Sequence, residues 1–506
     1  MSVGFLVSLL LSIATGAFLI RILLPEQNGQ RTGWPLLIFS GTGIGIGIAS
    51  CVYFLCMIAN LTAFVPLMDA LLCILMGAIS FYRKRPVWHF RLVKAPASPR
   101  SREKTGFEKL LLGVFSVEAA ASFAAFVFAF LKEPHGRWDA WLIWNMHARF
   151  LGRSGEAWRE VFSLPMDWSH WDYPLLLPLS IVRGWKYACA ESIYVPAAFA
   201  FFFALLTAGL LLTSVSSLRN RTSGLLAAMI LLATPFFILM GMSQFADVPF
   251  SFFILATVVL LFSAERIESK NYGPFVLVGI SAALSAWTKN EGSLFFLVVA
   301  GVIVAAGVVY QGWRETLKRL GWFLTGALPV MLVVFYFKIA LSPANDLMAG
   351  FSLGQAAWAK MTDWNRYATI IKAFFITAIN FTQGPVDLRV GIMVFYPGLV
   401  NILLPVAWLF FIGANRDRQN GGGVVPIAAI LLLMLGGYYF VYLLTPLPLE
   451  YHIATSLNRL FLQLWPSIIF LFFVIANAPE AGWNVEVKKT EAAITRPAGK
   501  GKKRTR

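Results

Sequence analysis

The sequence predicts an all-α polytopic membrane protein, with about 13 transmembrane helices and shorter interfacial helices in the loops between them. Three observations carry that reading. Of 506 residues, 58% are hydrophobic and only 13% are charged, where soluble domains carry about 25% charged residues. Mean hydropathy over the chain is +0.70. The apolar residues fall in runs of bilayer-crossing length, separated by short gaps that hold most of the lysines and arginines. The formal charge of +17 therefore lies along the ends of apolar runs and points to a membrane surface, with no nucleic acid as partner. Four cysteines, Cys51, Cys56, Cys73 and Cys189, sit in or beside apolar runs without ligand-like pairing, which speaks against a disulfide framework or a zinc site.

Each predicted span is an apolar run bounded by charges or by Gly and Pro. In order they are 2–23, 34–59, 62–82, 110–131, 193–215, 223–243, 248–264, 273–288, 293–311, 321–340, 391–413, 424–445 and 458–477. A helix rises about 1.5 Å per residue, so about 20 residues cover a hydrocarbon core about 30 Å thick. The first run resembles a secretory h-region, yet it lacks a basic n-region and a small-residue cleavage site, and it counts as a span. Orientation follows from the lysines and arginines, which accumulate on the cytoplasmic side. The loop 83–109 holds Arg83, Lys84, Arg85, Arg91, Lys94, Arg100, Arg102, Lys104 and Lys109 against only Glu103 and Glu108. With that loop inside, Arg219 and Arg221, the stretch from Arg266 to Lys270, Arg314, Lys318 and Arg319, Arg416 and Arg418, and the basic tail all fall inside as well. An odd number of spans then puts the N-terminus outside and the C-terminus in the cytoplasm. The expected organisation is N-terminal helices over 1–82, a basic cytoplasmic loop over 83–109, a transmembrane core over 110–345 that includes a far-side loop at 132–192, a second far-side loop at 346–390, C-terminal helices over 391–480 and a basic tail over 481–506.

The unusual polar residues gather in the loops on the far side. In the first, Trp138, Trp141, Trp144 and Phe150 recur at spacings that suit an interfacial helix with its aromatic face toward lipid head groups. Asp139 and Arg149 then sit at the edge of a membrane-facing cavity. Asp139 is either the N-cap of that helix or a carboxylate in a poorly hydrated place, suited to deprotonating a hydroxyl. The run His170-Trp171-Asp172-Tyr173-Pro174 supplies a second acid, which either orients an acceptor or caps the turn. Asp247, in Ala246-Asp247-Val248-Pro249, stands at the mouth of two helices, where capping is the simpler duty. Lys289 and Glu291, in Thr288-Lys289-Asn290-Glu291-Gly292, place a cation and an acid between two apolar spans, either as a local pair or as a phosphate contact. His452 and Arg459 lead into the last span, where a guanidinium either snorkels to the interface or meets a lipid phosphate.

Taken together, the first-loop acid, the Asp-Tyr-Pro turn, Ala-Asp-Val-Pro and Thr-Lys-Asn-Glu-Gly resemble the GT-C superfamily of polyprenyl-phosphate-sugar-dependent glycosyltransferases. The resemblance is to members of the protein mannosyltransferase and aminoarabinose transferase type, glycosyltransferase family 39-like, over roughly residues 110–340. It implies an inverting enzyme of the bacterial inner membrane that moves a sugar from a polyprenyl-phosphate carrier to an envelope lipid, glycan or protein acceptor at the outer face. It also implies that Asp139 and Asp247 hold the family's acidic loop positions, with Asp172 as a further candidate base. Lys289 and Arg459 are then phosphate contacts, and Arg149, His170, Tyr173, Glu291 and His452 line the substrate site. Where many members have two adjacent acids in the first loop, Asp139 is followed by Ala140. Attack by a hydroxyl on an anomeric carbon needs a base, while a phosphate leaving group needs cations rather than an acid, and the acids and cations present match that division. The loop acids leave room for a divalent cation, Mg or Mn, although clustered ligand spacing is missing. A lipid flippase or secondary transporter is the alternative, and an O-antigen ligase or polymerase is another; mid-membrane charges and matched halves would mark a transporter, and neither is visible.

Overall fold

The structure, a computed structural model of the 506-residue chain, describes residues 2–24, 34–83, 106–163, 166–266, 271–344, 355–379, 405–410, 413 and 418–477. Among these residues the regular elements are helices, and ten are long and apolar enough to cross a membrane, or eleven if one bent pair is a single span. The chain is a multi-pass membrane protein. The bent pair occupies the run expected at 223–243, and the run at 273–288 is a 16-residue apolar helix, shorter than the other spans. The span expected at 391–413 lies mostly outside the described residues, as do nearly all of the basic loop at 83–109 and the tail.

Helix α1 (Val3–Leu23), α2 (Trp34–Ile58) and α3 (Val65–Arg83) pack together at the N-terminus. The first two approach to backbone contact, because a Cβ on Gly16 would lie 1.8 Å from the Gly41 carbonyl oxygen; small residues permit such crossings between membrane helices. Helix α4 (Gly106–Lys132) leaves its apolar surface outward, as lipid permits. After it come α5 (Asn145–Arg153), α6 (Leu176–Ala188), α7 (Tyr194–Leu218), α8 (Arg221–Leu232), α9 (Pro235–Met242) and α10 (Asp247–Glu265). Proline ends α8: Pro235 has no N–H to continue the ladder, and the axis turns by 64° into α9. Trp465 donates its indole N–H to Thr234 Oγ1 at that break, 3.0 Å away.

Helix α10 is the centre of the bundle. Its sequence is apolar on all sides after the first turn, the pattern of a helix enclosed by others, and it touches α7, α11 (Gly273–Thr288), α16 (Arg418–Leu444) and α17 (Leu449–Ile475). Pro249 lies in its first turn, where an amide N–H has no partner within the helix anyway. Helices α12 (Glu291–Gln311) and α13 (Trp313–Ala340) close one side against α11. The far-side loop expected at 346–390 is in part helical, with α14 (Gln355–Thr362) and α15 (Trp364–Ile379). Arg366 in that loop donates to the carbonyls of Leu443 and Tyr442 at 2.7 and 2.9 Å, and Lys360 to that of Thr445 at 2.9 Å. Both satisfy carbonyls that the end of α16 leaves without intrahelical partners. Asp346 and Asp387 lie outside the described residues.

One polar tie runs through the apolar interior. Arg183 on α6 donates to Asp69 Oδ2 on α3 at 2.7 Å and to the Ser8 carbonyl on α1 at 3.0 Å, and the Tyr187 hydroxyl reaches the same Asp69 oxygen at 2.8 Å. Arg183 and Asp69 are both buried.

Candidate active site

Four loops that are far apart in sequence bring their polar residues to one end of α10. Asp247 is its first residue and is fully buried. The carboxylate does not cap its own helix; it receives Lys289 Nζ at 3.0 Å and Gln463 Nε2 at 2.8 Å on Oδ1, and Arg459 Nε and Nη2 at 3.0 and 2.7 Å on Oδ2. Arg459 and Gln463 are one turn apart on α17 and so share a face. The remaining nitrogen of Arg459, Nη1, lies 2.7 Å from Asp139 Oδ2. Lys289 in turn holds Glu291 Oε1 at 3.1 Å. The result is an alternating chain, Asp139, Arg459, Asp247, Lys289, Glu291, with Asp247 fully enclosed and Asp139 and Glu291 at 18% and 25% exposure at its open ends. Burial disfavours the Lys289 ammonium, but the carboxylates of Asp247 and Glu291 outweigh it and hold its pKa above the ordinary lysine range.

The local backbone explains how Lys289 comes to face inward. Residue 289 leaves α11 in an extended conformation and the chain re-enters a helix at once, with the Gly292 N–H bonded to the Lys289 carbonyl at 3.0 Å. Gly292 is obligatory in this hairpin, because a Cβ there would sit 2.0 Å from the Ser285 carbonyl oxygen. Behind the turn, Trp287 donates to Ser50 Oγ at 3.1 Å and packs on Phe54, so α2 forms the back wall.

Asp139 precedes a short π-helical turn, Ala140–Trp144, and its side chain caps nothing. A π turn takes more residues than an α turn, and such turns often occur at functional sites. It also corrects the expected aromatic face. Trp138 and Trp141 are exposed, but Trp144 is fully buried and stacks on Tyr173, with ring centroids 5.5 Å apart. Spacings that align side chains on an α-helix do not align them across the wider turn. His170 stacks on the other partner of this group, again Tyr173, at 5.1 Å. Burial pushes the Tyr173 phenol well above its ordinary range, with Glu291 and Asp172 adding to the effect. His147, under the same loop, stacks on Trp171 and bonds the Ser169 carbonyl at 2.8 Å. Burial lowers its pKa to about 3.

Asp172 belongs to a second group beside the first. Asn290 donates to its Oδ2 at 2.6 Å, and Lys338 Nζ bonds both Asn290 Oδ1 at 2.6 Å and the Asp172 carbonyl at 2.5 Å. His452, seven residues before Arg459 on α17, lies against Tyr442 with ring centroids 4.8 Å apart. Arg149 goes elsewhere: it pairs with Glu191 and His135, away from the acids. Sequence reasoning missed Gln463 and Lys338. A lone lysine in the last turn of an apolar span was a usable signal for Lys338, while Gln463 had only its spacing from Arg459. Among the described residues no three His, Cys, Asp or Glu side chains gather where a metal ion could be held.

Fold and site define a multi-pass membrane protein whose charged groups converge from separate loops on one helix mouth. Residues 122–345 match the sequence profile of the family described as dolichyl-phosphate-mannose-protein mannosyltransferase. Over that segment, from within α4 to just past α13, the chain is similar to glycosyltransferases of the GT-C type. Helices α1 to α3 lie outside the match, as do Arg459 and Gln463. No curated protein and no solved structure matches the chain.

Proposed function

We propose that this centre transfers a sugar from a polyprenyl-phosphate carrier to a hydroxyl of an envelope lipid, glycan or protein, at the outer face of a bacterial inner membrane. The observation that carries the reading is the buried Asp247 carboxylate, which fixes two cations, Lys289 and Arg459, with Arg459 also holding Asp139. Asp247 spends both oxygens on four N–H donors, so it positions cations and is not the base. Lys289 and Arg459, aided by Lys338, receive the carrier phosphate. Asp139 is the base, because it is the partly open carboxylate with a single cation on Oδ2; Asp172, nearly enclosed and bonded to Asn290, orients the acceptor.

The chemistry follows from charge. The acceptor oxygen forms a bond to the anomeric carbon as the bond from that carbon to the phosphate oxygen breaks, and the configuration inverts. The acceptor proton goes to Asp139, and the leaving polyprenyl phosphate keeps the electron pair. Its added negative charge falls between fixed cations, which favours the transition state over the ground state. When the phosphate engages Arg459, Asp139 Oδ2 loses its cation and becomes the free acceptor for that proton. Tyr173, Glu291, His170 and His452 border the same space and complete the substrate wall. A divalent cation, Mg or Mn, would have to compete with the nitrogens to which the acids of this chain of charges are bonded. The N-terminus outside and the C-terminus in the cytoplasm put this face opposite the basic loop.

The test is transfer of radiolabelled sugar from polyprenyl-phosphate donors by the full chain in lipid nanodiscs, comparing wild type with Asp139→Asn. A rate lower by about 10²–10⁴-fold is expected for loss of a general base. Undiminished transfer by a folded Asp139→Asn protein moves the base to Asp172. Donor lipid that crosses the bilayer with no transfer would favour the flippase reading.

A further inference from the structure

Beside the charged centre, and bonded to none of its members, lies a cavity of about 450 Å³ whose walls include His135, Trp141, Arg149, Arg153, Trp185 and Glu191. Two guanidinium groups meet there on one carboxylate. Arg153 Nε and Nη2 donate to the two Glu191 oxygens, each at 2.8 Å, and Arg149 Nε donates to Oε1 at 3.1 Å. Arg149 Nη2 also donates to His135 Nδ1 at 3.0 Å. One negative charge thus faces two positive ones, and the cavity carries an excess of positive charge. The Arg153 pairing is the two-pronged geometry with which guanidinium groups hold phosphates as readily as carboxylates. Arg153 is itself 68% exposed at its side chain and is free to turn to an incoming anion.

The setting identifies the anion's source. Trp138 and Trp141 are 69% and 58% exposed on the segment that forms one wall. Tryptophans so placed in a multi-pass membrane protein lie at head-group depth. We propose that this cavity binds the phosphate of an anionic lipid head group, and that Glu191 occupies the arginine forks as an internal stand-in until the lipid displaces it. The site is independent of sugar transfer, and its occupancy is read without any donor.

The decisive property is the sign of the Glu191 effect. A carboxylate that merely braces α5 against the turn before α7 would, on replacement, loosen the cavity and weaken binding. A carboxylate that competes with the ligand would, on replacement, strengthen it. The experiment measures binding of radiolabelled phosphatidic acid to the detergent-solubilised full chain, with phosphatidylcholine, glycerol 3-phosphate and inorganic phosphate as competitors. Arg153→Gln is expected to weaken binding by about tenfold, the loss of one charge-assisted contact. Glu191→Gln is expected to tighten it by about three- to tenfold. Unchanged or weaker binding by Glu191→Gln, or wild-type affinity in Arg153→Gln, overturns the proposal. Competition by glycerol 3-phosphate as effective as that by unlabelled phosphatidic acid overturns the lipid assignment and gives the cavity to a soluble phosphate.

Discussion

Asp247→Asn is the sharpest probe of the charge chain. An asparagine keeps the volume but removes one charge and replaces one acceptor oxygen by an NH2 group. Whichever way the amide faces, one pair of donors loses its acceptor: either the two Arg459 N–H groups, or Lys289 together with Gln463. Hydrogen bonds to charged groups contribute about 1.5–3 kcal/mol each. Asp247 has no solvent to replace them, so the loss is set at about 3–5 kcal/mol, the range for a buried pair deprived of one partner. Equilibrium unfolding in mixed SDS and dodecylmaltoside micelles, followed by circular dichroism, reads this directly. Lys289→Met in the Asp247→Asn background is then expected to cost less than Lys289→Met alone, because the first change has already stranded the ammonium. Sugar transfer is expected to fall in parallel. An Asp247→Asn protein within about 1 kcal/mol of wild type, or a double variant whose loss is the plain sum of the two, would refute the argument that Asp247 holds both cations.

Three further outcomes are expected. Gly292→Ala forces a methyl group against the Ser285 carbonyl and should lower the unfolding free energy by about 1–3 kcal/mol, as overpacking does, with transfer lost because Lys289 and Glu291 flank the displaced turn; the same micelle titration checks it. His147 is held neutral by burial, with its pKa lowered from 6.5 to about 3, so the unfolded chain takes up a proton that the folded one refuses. Stability should therefore fall as pH drops from about 6.5 toward about 3, by about 1.4 kcal/mol per unit from this group, and His147→Gln should show a slope shallower by that amount in unfolding curves taken between pH 7 and 5. Arg183→Met leaves Asp69 buried without its cation and should cost about 3–5 kcal/mol, while Arg183→Met with Asp69→Leu should recover most of it; a double variant as unstable as the single one counts against the pairing.

The membrane class was legible because it rests on run length and composition, which survive any detail of packing. The one misjudged surface, at Trp144, came from assuming an α-helical period across a segment that forms a π turn. The site was legible in part. Asp139, Asp247, Lys289, Glu291 and Arg459 each stand out as charges at the ends of apolar runs, and the fold joins all five. What a single chain of letters does not carry is which acid meets which cation, because the partners are up to 320 positions apart in sequence (459 − 139). For the same reason Asp139, Asp247 and Arg459 each admitted a local explanation, a cap or a snorkelling arginine, that the geometry replaces with a long-range bond, while the local Lys289–Glu291 pair stands beside the bond from Lys289 to Asp247. Arg149 shows the converse: a cation in the right loop whose partner, Glu191, lies on the turn before α7 and draws it to a different cavity.

The tie between Arg183 and Asp69 also governs the order in which this chain can be assembled. Chains are made from the N-terminus, so α3 is in place before α6, 114 positions later at the paired residues, has been synthesised. During that interval Asp69 is a carboxyl in an apolar helix without the guanidinium that will neutralise it, and a charge at that depth is costly. The bonds from Arg183 to Asp69 and to the Ser8 carbonyl can therefore join α3 and α1 only after α6 has been made. The polar tie of the N-terminal helices is thus completed by a residue of the segment that matches the mannosyltransferase family, and it closes only once that segment has been made.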